Sequence, residues 1–554
     1  MKFLSVIDSW KSFLKKTEPY AFILFCLIGT LPILLTKYYV TLDGPAHLYN
    51  ANIIKELLFD NYSEIQNVFS INYFPVPNLM SQLIMSLLNL ALPSFISEKI
   101  FLLLYFVLTP IFFRKYMLLL YPGNRAFTYL ILLFLHNNLL YFGFYNMCIA
   151  VTFLFITSYY NLKYCKTFSL KHLFILSFLL LLIYFSHIFI FFIAILVQLI
   201  TICSTIKTKR EFDEVLIVNY KIILGRLKLL FVSLIPCLVL SFIYFLKIDS
   251  IESNSRPSIE ELIKWLIDIK PLLTLCDCSD WWNLTHILLG LFVIIIATNV
   301  FLKIKNGIIY RSNHLYFKPF VEGTSYWWLF SSLAFLILYF IMPNAILLSD
   351  RLIFVFYLFL IIWLGSLHHP KFIHIITFVV VVVLQITFIR IYVKEMKGLS
   401  VDAKKLESIA TNIESNHLTL TLNYSNNWLH SHISGYVGAN KAIPVIENYE
   451  AQLKWFTINW NKSVYELDIL DNWGVNNKDL ACDFYLNSKD TMCFSLNTKA
   501  DHRIKPIDYI IVLGKPDTST NLCNDKVKTV LDNYYIKLDS NDLCMLYKLK
   551  ITTE

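Results

Sequence analysis

The chain repeats, again and again, a stretch of about 20 predominantly apolar residues, and that is the length needed to cross a hydrocarbon core of about 30 Å. Runs such as Leu173 to Phe185, Ile188 to Ile206 and Ile375 to Ile389 carry no charged side chain. Lipid offers no partner for exposed backbone groups, so such runs must be helices. Apolar residues make up 57% of the 554-residue chain and charged residues 16%, which removes a soluble multidomain enzyme from consideration. The pattern predicts about eleven spans, near 20–37, 97–113, 126–142, 147–162, 173–186, 188–206, 228–246, 284–302, 326–342, 352–367 and 372–392. The first of these follows Lys11, Lys15 and Lys16 and ends without a small-x-small site, so it reads as a permanent span and not as a cleavable signal.

Basic residues set the orientation. The block Pro77 to Pro93 is apolar enough to be counted as a further span. Placing it along the outer surface puts 21 Lys and Arg in inner loops against 8 in outer ones, as the positive-inside rule requires. The N-terminus is then cytoplasmic, and the loops 37–99 and 247–283 are outside. Residues 1–393 form a membrane domain, and 394–554 form a periplasmic or extracytoplasmic domain on a cell (inner) membrane. The net charge of +9 is used up by this orientation, which leaves no case for nucleic acid as a partner.

The C-terminal region is rich in Asn, Asp, Lys and Ser and has no stretch able to span. Leu418 to Leu422 alternates and Tyr509 to Leu513 is continuously apolar, so both predict strands, and Val401 to Ser415 predicts a helix. The expected fold class is mainly α: a polytopic bundle followed by a small α/β domain. Cys482 with Cys493 and Cys523 with Cys544 are neighbours in sequence in an oxidising setting, although spacing alone does not decide connectivity. Cys276-Asp277-Cys278 is too closely spaced for an ordinary zinc knuckle.

The string Leu42-Asp43-Gly44-Pro45-Ala46-His47 carries the sharpest chemical signal. Pro45 suits the first turn of a helix that Asp43 or Gly44 can cap, and apolar Leu48, Ile53, Ile54, Leu57 and Leu58 against His47, Asn50, Lys55 and Glu56 predict that this helix lies in the membrane interface. Four residues is about one helical turn, so Asp43 and His47 can face one cavity. A carboxylate there can take a proton from an attacking hydroxyl or hold a divalent metal, and it can also be no more than a helix cap.

Further polar residues fall at outer span ends: His136 with Asn137, His187, and Arg351 after Ser349-Asp350. An Arg fork matches phosphate oxygens, and Lys247 and Arg256 are second candidates for the same anion. Trp265, Trp281 and Trp282 suit an aromatic belt, and Asn448-Tyr449-Glu450 with Trp455 to Trp460 forms an aromatic patch without assigned chemistry. No Gly-rich phosphate loop, His-Glu-x-x-His helix or Gly-x-Ser-x-Gly elbow is present.

Asp43-Gly44-Pro45-Ala46-His47 in the first outer loop resembles the motif of the GT-C superfamily of membrane glycosyltransferases, among them the protein O-mannosyltransferases and the lipid A aminoarabinose transferase. The resemblance implies a sugar moved from a polyprenyl-phosphate donor in the membrane lipid to a glycan, lipid or protein acceptor on the outer face. It implies Asp43 as base with His47 beside it; a single displacement by that base would invert the anomeric carbon, with no certain cofactor beyond a possible divalent metal. The string departs from the family at Gly44, where many members carry a second acid. That departure weakens a metal-binding assignment and keeps open a non-catalytic scaffold. A transporter is a third reading, although the spans lack the mid-depth charges that one would use.

Overall fold

The computed structural model describes residues 2–59, 64–165, 168–204, 220–247, 256–275, 279–311, 314–317, 325–461, 507–515, 528 and 531–550. The fold is mainly helical, with a small sheet near the C-terminus. It divides into two compact units: residues 1–31, 103–141 and 147–393 form one, and residues 32–102, 142–146 and 394–554 form the other.

Five helices among the described residues are long and apolar enough to cross a membrane: Ser94–Leu120, Ile223–Lys247, Trp281–Lys305, Leu348–Ser366 and Lys371–Ala410. This is the composition of a multi-pass membrane protein, but the expected eleven spans are not met. Leu170–Ser186, Ile188–Cys203 and Ser325–Ile341 are apolar but have 17 residues or fewer. A helix of that length rises only about 26 Å, short of a full hydrocarbon core. The first helix, Lys2–Gly29, stops well before the expected end at residue 37.

The expected span 126–142 is not a regular helix. It is a 3-10 segment, Arg125–Leu132, followed by turns and the short helix Asn138–Tyr141. The cause is local competition for backbone groups. Asn137 donates to the Phe134 carbonyl (2.9 Å) and accepts from the Leu140 N–H (3.0 Å), which rewires the turn. Every residue from Phe127 to Tyr141 is buried, and irregular backbone is tolerated at membrane depth only inside protein. The helix Tyr145–Tyr164 replaces the span at 147–162, with hydropathy diluted by polar ties to neighbouring helices. Asn161 donates to Gln198 (2.8 Å), Gln198 donates to Ser158 (2.9 Å), and the Thr109 and Thr152 hydroxyls meet at 2.7 Å.

In the second unit, helix Met80–Asn89 occupies the apolar block 77–93. Its ten residues rise about 15 Å, half of what a crossing needs. It packs on helix Gly44–Phe59. That helix is not interfacial as expected: 12 of its 16 residues are buried, polar ones included. Its polar face finds protein partners in place of water. Asn52 donates to the Gly438 and Lys441 carbonyls (2.9 and 3.0 Å), and the Tyr49 hydroxyl donates to the Ile443 carbonyl (2.8 Å). Strand Phe69–Ile71 of the outer loop pairs antiparallel with Ile458–Trp460, nearly 400 residues along the chain.

The C-terminal sheet has four strands in the order Thr419–Asn423, Tyr509–Leu513, Cys544–Leu549 and Tyr535–Ser540. The first pair is parallel and the other two are antiparallel. The two expected strands are the parallel pair. Tyr509–Leu513 is buried along its whole length, which explains its unbroken apolar run. The helix expected at 401–415 is instead the end of Lys371–Ala410, a single 40-residue helix. Cys276, Cys278, Cys482, Cys493 and Cys523 lie outside the described residues, and with them the expected disulfides.

Leu420, Leu422, Ile510 and Val512 form the centre of this sheet's core. Truncating Ile510→Ala should cost about 2–5 kcal/mol. Limited proteolysis of the purified protein should then cut the C-terminal segment at a temperature at which the wild type resists.

Candidate active site

Helix Gly44–Phe59 begins where the Thr41 hydroxyl accepts the Gly44 N–H (3.0 Å) and the Asp43 carbonyl accepts the His47 N–H (3.0 Å). The expected one-turn spacing therefore holds, and Asp43 and His47 enter one buried cluster. His47 sets Nδ1 at 2.9 Å from Glu450 Oε1 and Nε2 at 3.0 Å from the Gly143 carbonyl. Both ring nitrogens lie close to acceptors, with Gln82 Nε2 also 3.4 Å from Nδ1, and this setting favours the protonated ring. Glu450 also accepts from Gln82 (2.9 Å) and from Asn50. Asn50 in turn accepts from Asn448 (2.7 Å).

Asp43 faces the other way. Its Oδ1 lies 3.4 Å from His432 Nε2, and the His432 ring stacks on Tyr449 at 4.3 Å. Tyr449 is hydrogen-bonded to the Asp43 side chain. The Asp43 carboxylate keeps 14% exposure and the His432 side chain 13%, against none for Glu450. Of the two acids, then, Asp43 is the one an incoming molecule can reach.

Burial pushes the Asp43 carboxyl up to about 7, with nearby Glu450 adding to the rise and His47 and the Tyr449 hydrogen bond opposing it. For His47, burial alone would depress the pKa. The Glu450 and Asp43 carboxylates and the Gly143 carbonyl outweigh it and hold the ring above its ordinary value. His432 is depressed to about 3 by burial and by the charge of His47, so it is neutral. Tyr449 is raised by burial and by the two acids, which keeps its hydroxyl protonated.

Gly44 has a steric reason. A Cβ added there would overlap the Thr41 hydroxyl and sit 2.5 Å from the Tyr145 oxygen. That oxygen receives the Thr41 hydroxyl (3.2 Å) and donates to Glu98 (2.8 Å). No side chain, acidic or otherwise, fits at residue 44. The further acids of this cluster come from Glu450 and Glu98. Sequence reasoning noted Tyr449-Glu450 only as part of an aromatic patch and Tyr145 only as a polar residue near an outer span end, and gave no signal for His432, Gln82 or Glu98. Among the described residues no group of three or more His, Cys, Asp or Glu side chains is placed to hold a metal ion.

The other expected residues belong to the helical unit. His136 hydrogen-bonds the Gly29 carbonyl (2.9 Å) and stacks on Tyr392 (4.4 Å), and Asn137 is tied to its own turn. His187 breaks the chain between helices Leu170–Ser186 and Ile188–Ser204. It feels the charge of Arg351 on helix Leu348–Ser366. Asp350, fully buried, holds Lys270 (3.1 Å) and accepts from Asn138 (2.7 Å), and Lys270 sits 3.0 Å from the centre of the Trp265 ring. Lys247 ends helix Tyr220–Lys247, and Arg256 donates to the Phe340 carbonyl. Lys270 is thus a basic group that the sequence did not single out.

No protein-family model matches the chain, and no curated protein matches it in sequence.

The raised carboxyl of Asp43 fixes a sign. The native state holds this proton up to about pH 7, whereas an unfolded Asp gives it up near 4. Stability therefore falls as pH rises from about 4 through about 7, because ionising the buried acid favours unfolding. Asp43→Asn imitates the protonated acid, so its melting temperature should exceed the wild type's at pH 8, and the gap should shrink as pH falls and close near pH 4 in a thermal scan.

Proposed function

We propose that this chain is a membrane glycosyltransferase of the GT-C kind. It moves a sugar from a polyprenyl-phosphate donor to an acceptor hydroxyl on the outer face of a cell (inner) membrane. The N-terminus is cytoplasmic and the unit containing Asp43 faces the periplasmic or extracytoplasmic side, as the distribution of basic residues favours. Asp43 is the general base. The observation that carries the reading is the pairing of reach and basicity in one carboxylate: Asp43 keeps partial exposure and has its pKa lifted to about 7. A base with a pKa near the working pH is ionised in a substantial fraction of molecules and still accepts a proton readily.

The remaining groups divide the work. The acceptor hydroxyl gives its proton to Asp43 as its oxygen attacks the anomeric carbon. The polyprenyl phosphate leaves from the opposite face, so the sugar is inverted. His47, held as a cation by Glu450, limits the build-up of negative charge beside Asp43 and is a positioning residue. Neutral His432 and protonated Tyr449 orient the carboxylate. Arg351 belongs to the other unit and is a candidate for a lipid-linked phosphate by its chemistry alone, because its guanidinium fork matches phosphate oxygens. A Cβ at residue 44 would meet Thr41 and Tyr145, and this lack of room supports reading the missing second acid as a matter of packing.

The test scores transfer of radiolabelled sugar from a panel of polyprenyl-phosphate donors in membranes. Asp43→Asn at equal protein level should lose transfer by about 100-fold or more. Wild-type rate should climb as pH rises through about 7, as Asp43 ionises. Equal transfer by wild type and mutant would remove Asp43 from catalysis.

A further inference from the structure

A second constellation lies in the same unit, apart from the cluster around Asp43. Ser425 Oγ is 2.8 Å from His430 Nδ1, and His430 Nε2 faces Asp402 Oδ2 at 3.4 Å. We propose that Ser425, His430 and Asp402 form a nucleophilic site that cleaves O-acyl esters, with Ser425 as nucleophile, His430 as base and Asp402 as its positioning residue. Serine and histidine within hydrogen-bond reach, with a third group orienting the base, is the arrangement that activates a hydroxyl.

The surroundings prepare each part. Ser425 follows the C-terminal end of strand Thr419–Asn423, which runs parallel to Tyr509–Leu513, and ligands in open α/β sheets bind beyond such strand ends. The turn is held tightly: the Ser425 N–H donates to Asn423 Oδ1 (3.0 Å), and Asn423 Nδ2 donates to the His430 carbonyl (2.8 Å). Gly514, past the end of the parallel neighbour, has φ of +81°, and a Cβ there would meet the Ser425 nitrogen at 3.0 Å, so only glycine lets the two strand ends close together. His430 is buried (3% exposed), whereas Ser425 is half-exposed beside Trp428, 39% exposed. Burial holds His430 below its ordinary pKa, with Asp402 opposing, which leaves the ring neutral and able to accept a proton.

The chemistry balances without a cofactor. Ser425 Oγ bonds to the acyl carbon while its proton passes to His430 Nδ1. The resulting oxyanion collapses, the C–O bond to the alcohol breaks, and the departing oxygen takes the proton from His430. Water then repeats the sequence on the acyl-serine and releases the carboxylic acid. The Asn427 N–H donates to Ser425 Oγ at 3.2 Å and fixes the hydroxyl in its turn. An ester is the favoured substrate because an amide, with its poorer leaving group, demands more stabilisation of the oxyanion.

The experiment incubates the full-length protein in detergent with a serine-reactive alkyl fluorophosphonate, which loses fluoride when Oγ attacks phosphorus, and locates the adduct by peptide mass spectrometry. The adduct is expected on Ser425. It should be absent in Ser425→Ala and form about 100-fold more slowly in His430→Asn. In Asp402→Asn the rate should fall and its pH midpoint shift downward, because the carboxylate no longer supports protonated His430. That last shift separates a positioning role from a purely structural one. Folded wild-type protein, with its normal thermal midpoint, that takes up no label at Ser425 would overturn the proposal. So would labelling that His430→Asn leaves undiminished.

Discussion

The contact between His47 and Glu450 organises the second unit. An unpaired imidazolium or carboxylate at such burial would be prohibitive, and the two make each other tolerable only when they meet at 2.9 Å with Gln82, Asn50 and the Gly143 carbonyl completing their bonds. Satisfying them brings three parts of the sequence into register: the loop after the first helix, the turn at residues 142–146 and the segment around residue 450. The pairing of Phe69–Ile71 with Ile458–Trp460 and the burial of helix Gly44–Phe59 follow the same alignment.

The same contact divides the labour between two acids. Glu450 is sealed off and compensated, so it serves as the fixed counter-charge. Asp43 receives less compensation, keeps a path to solvent and has its proton affinity lifted towards neutrality. Two carboxylates in one neighbourhood with different surroundings thereby acquire different proton affinities.

Much of this was legible in the sequence, and the rest was hidden for definable reasons. The apolar blocks announced a helical membrane protein, and Tyr509 to Leu513 announced a buried strand. The Asp43–His47 spacing announced one helical turn, which the structure forms, although the two side chains take different partners. Span counting failed where side chains decide the backbone: Asn137 rewires its own turn inside an apolar block, and Asn161 with Gln198 ties helices through polar groups that a hydropathy profile scores only as losses. The interfacial reading of helix Gly44–Phe59 failed because a polar face looks the same in sequence whether water or a distant carbonyl satisfies it. His432 and Glu450 could not be found by spacing, since nearly 400 residues separate them from Asp43 and His47 along the chain.

That separation also bears on how the molecule comes into being. Contacts this distant in sequence give the second unit a high contact order, so it is slow to form and exposed while it waits. Asp43 and His47 emerge early in synthesis, but their partners arrive only after the membrane helices have been made. Through that interval helix Gly44–Phe59 has neither the short strand nor the carboxylate that later covers it. Completion of this cluster is therefore among the last events in the chain's folding, and a product ending before residue 450 would own a bundle of helices without the carboxylate that His47 needs.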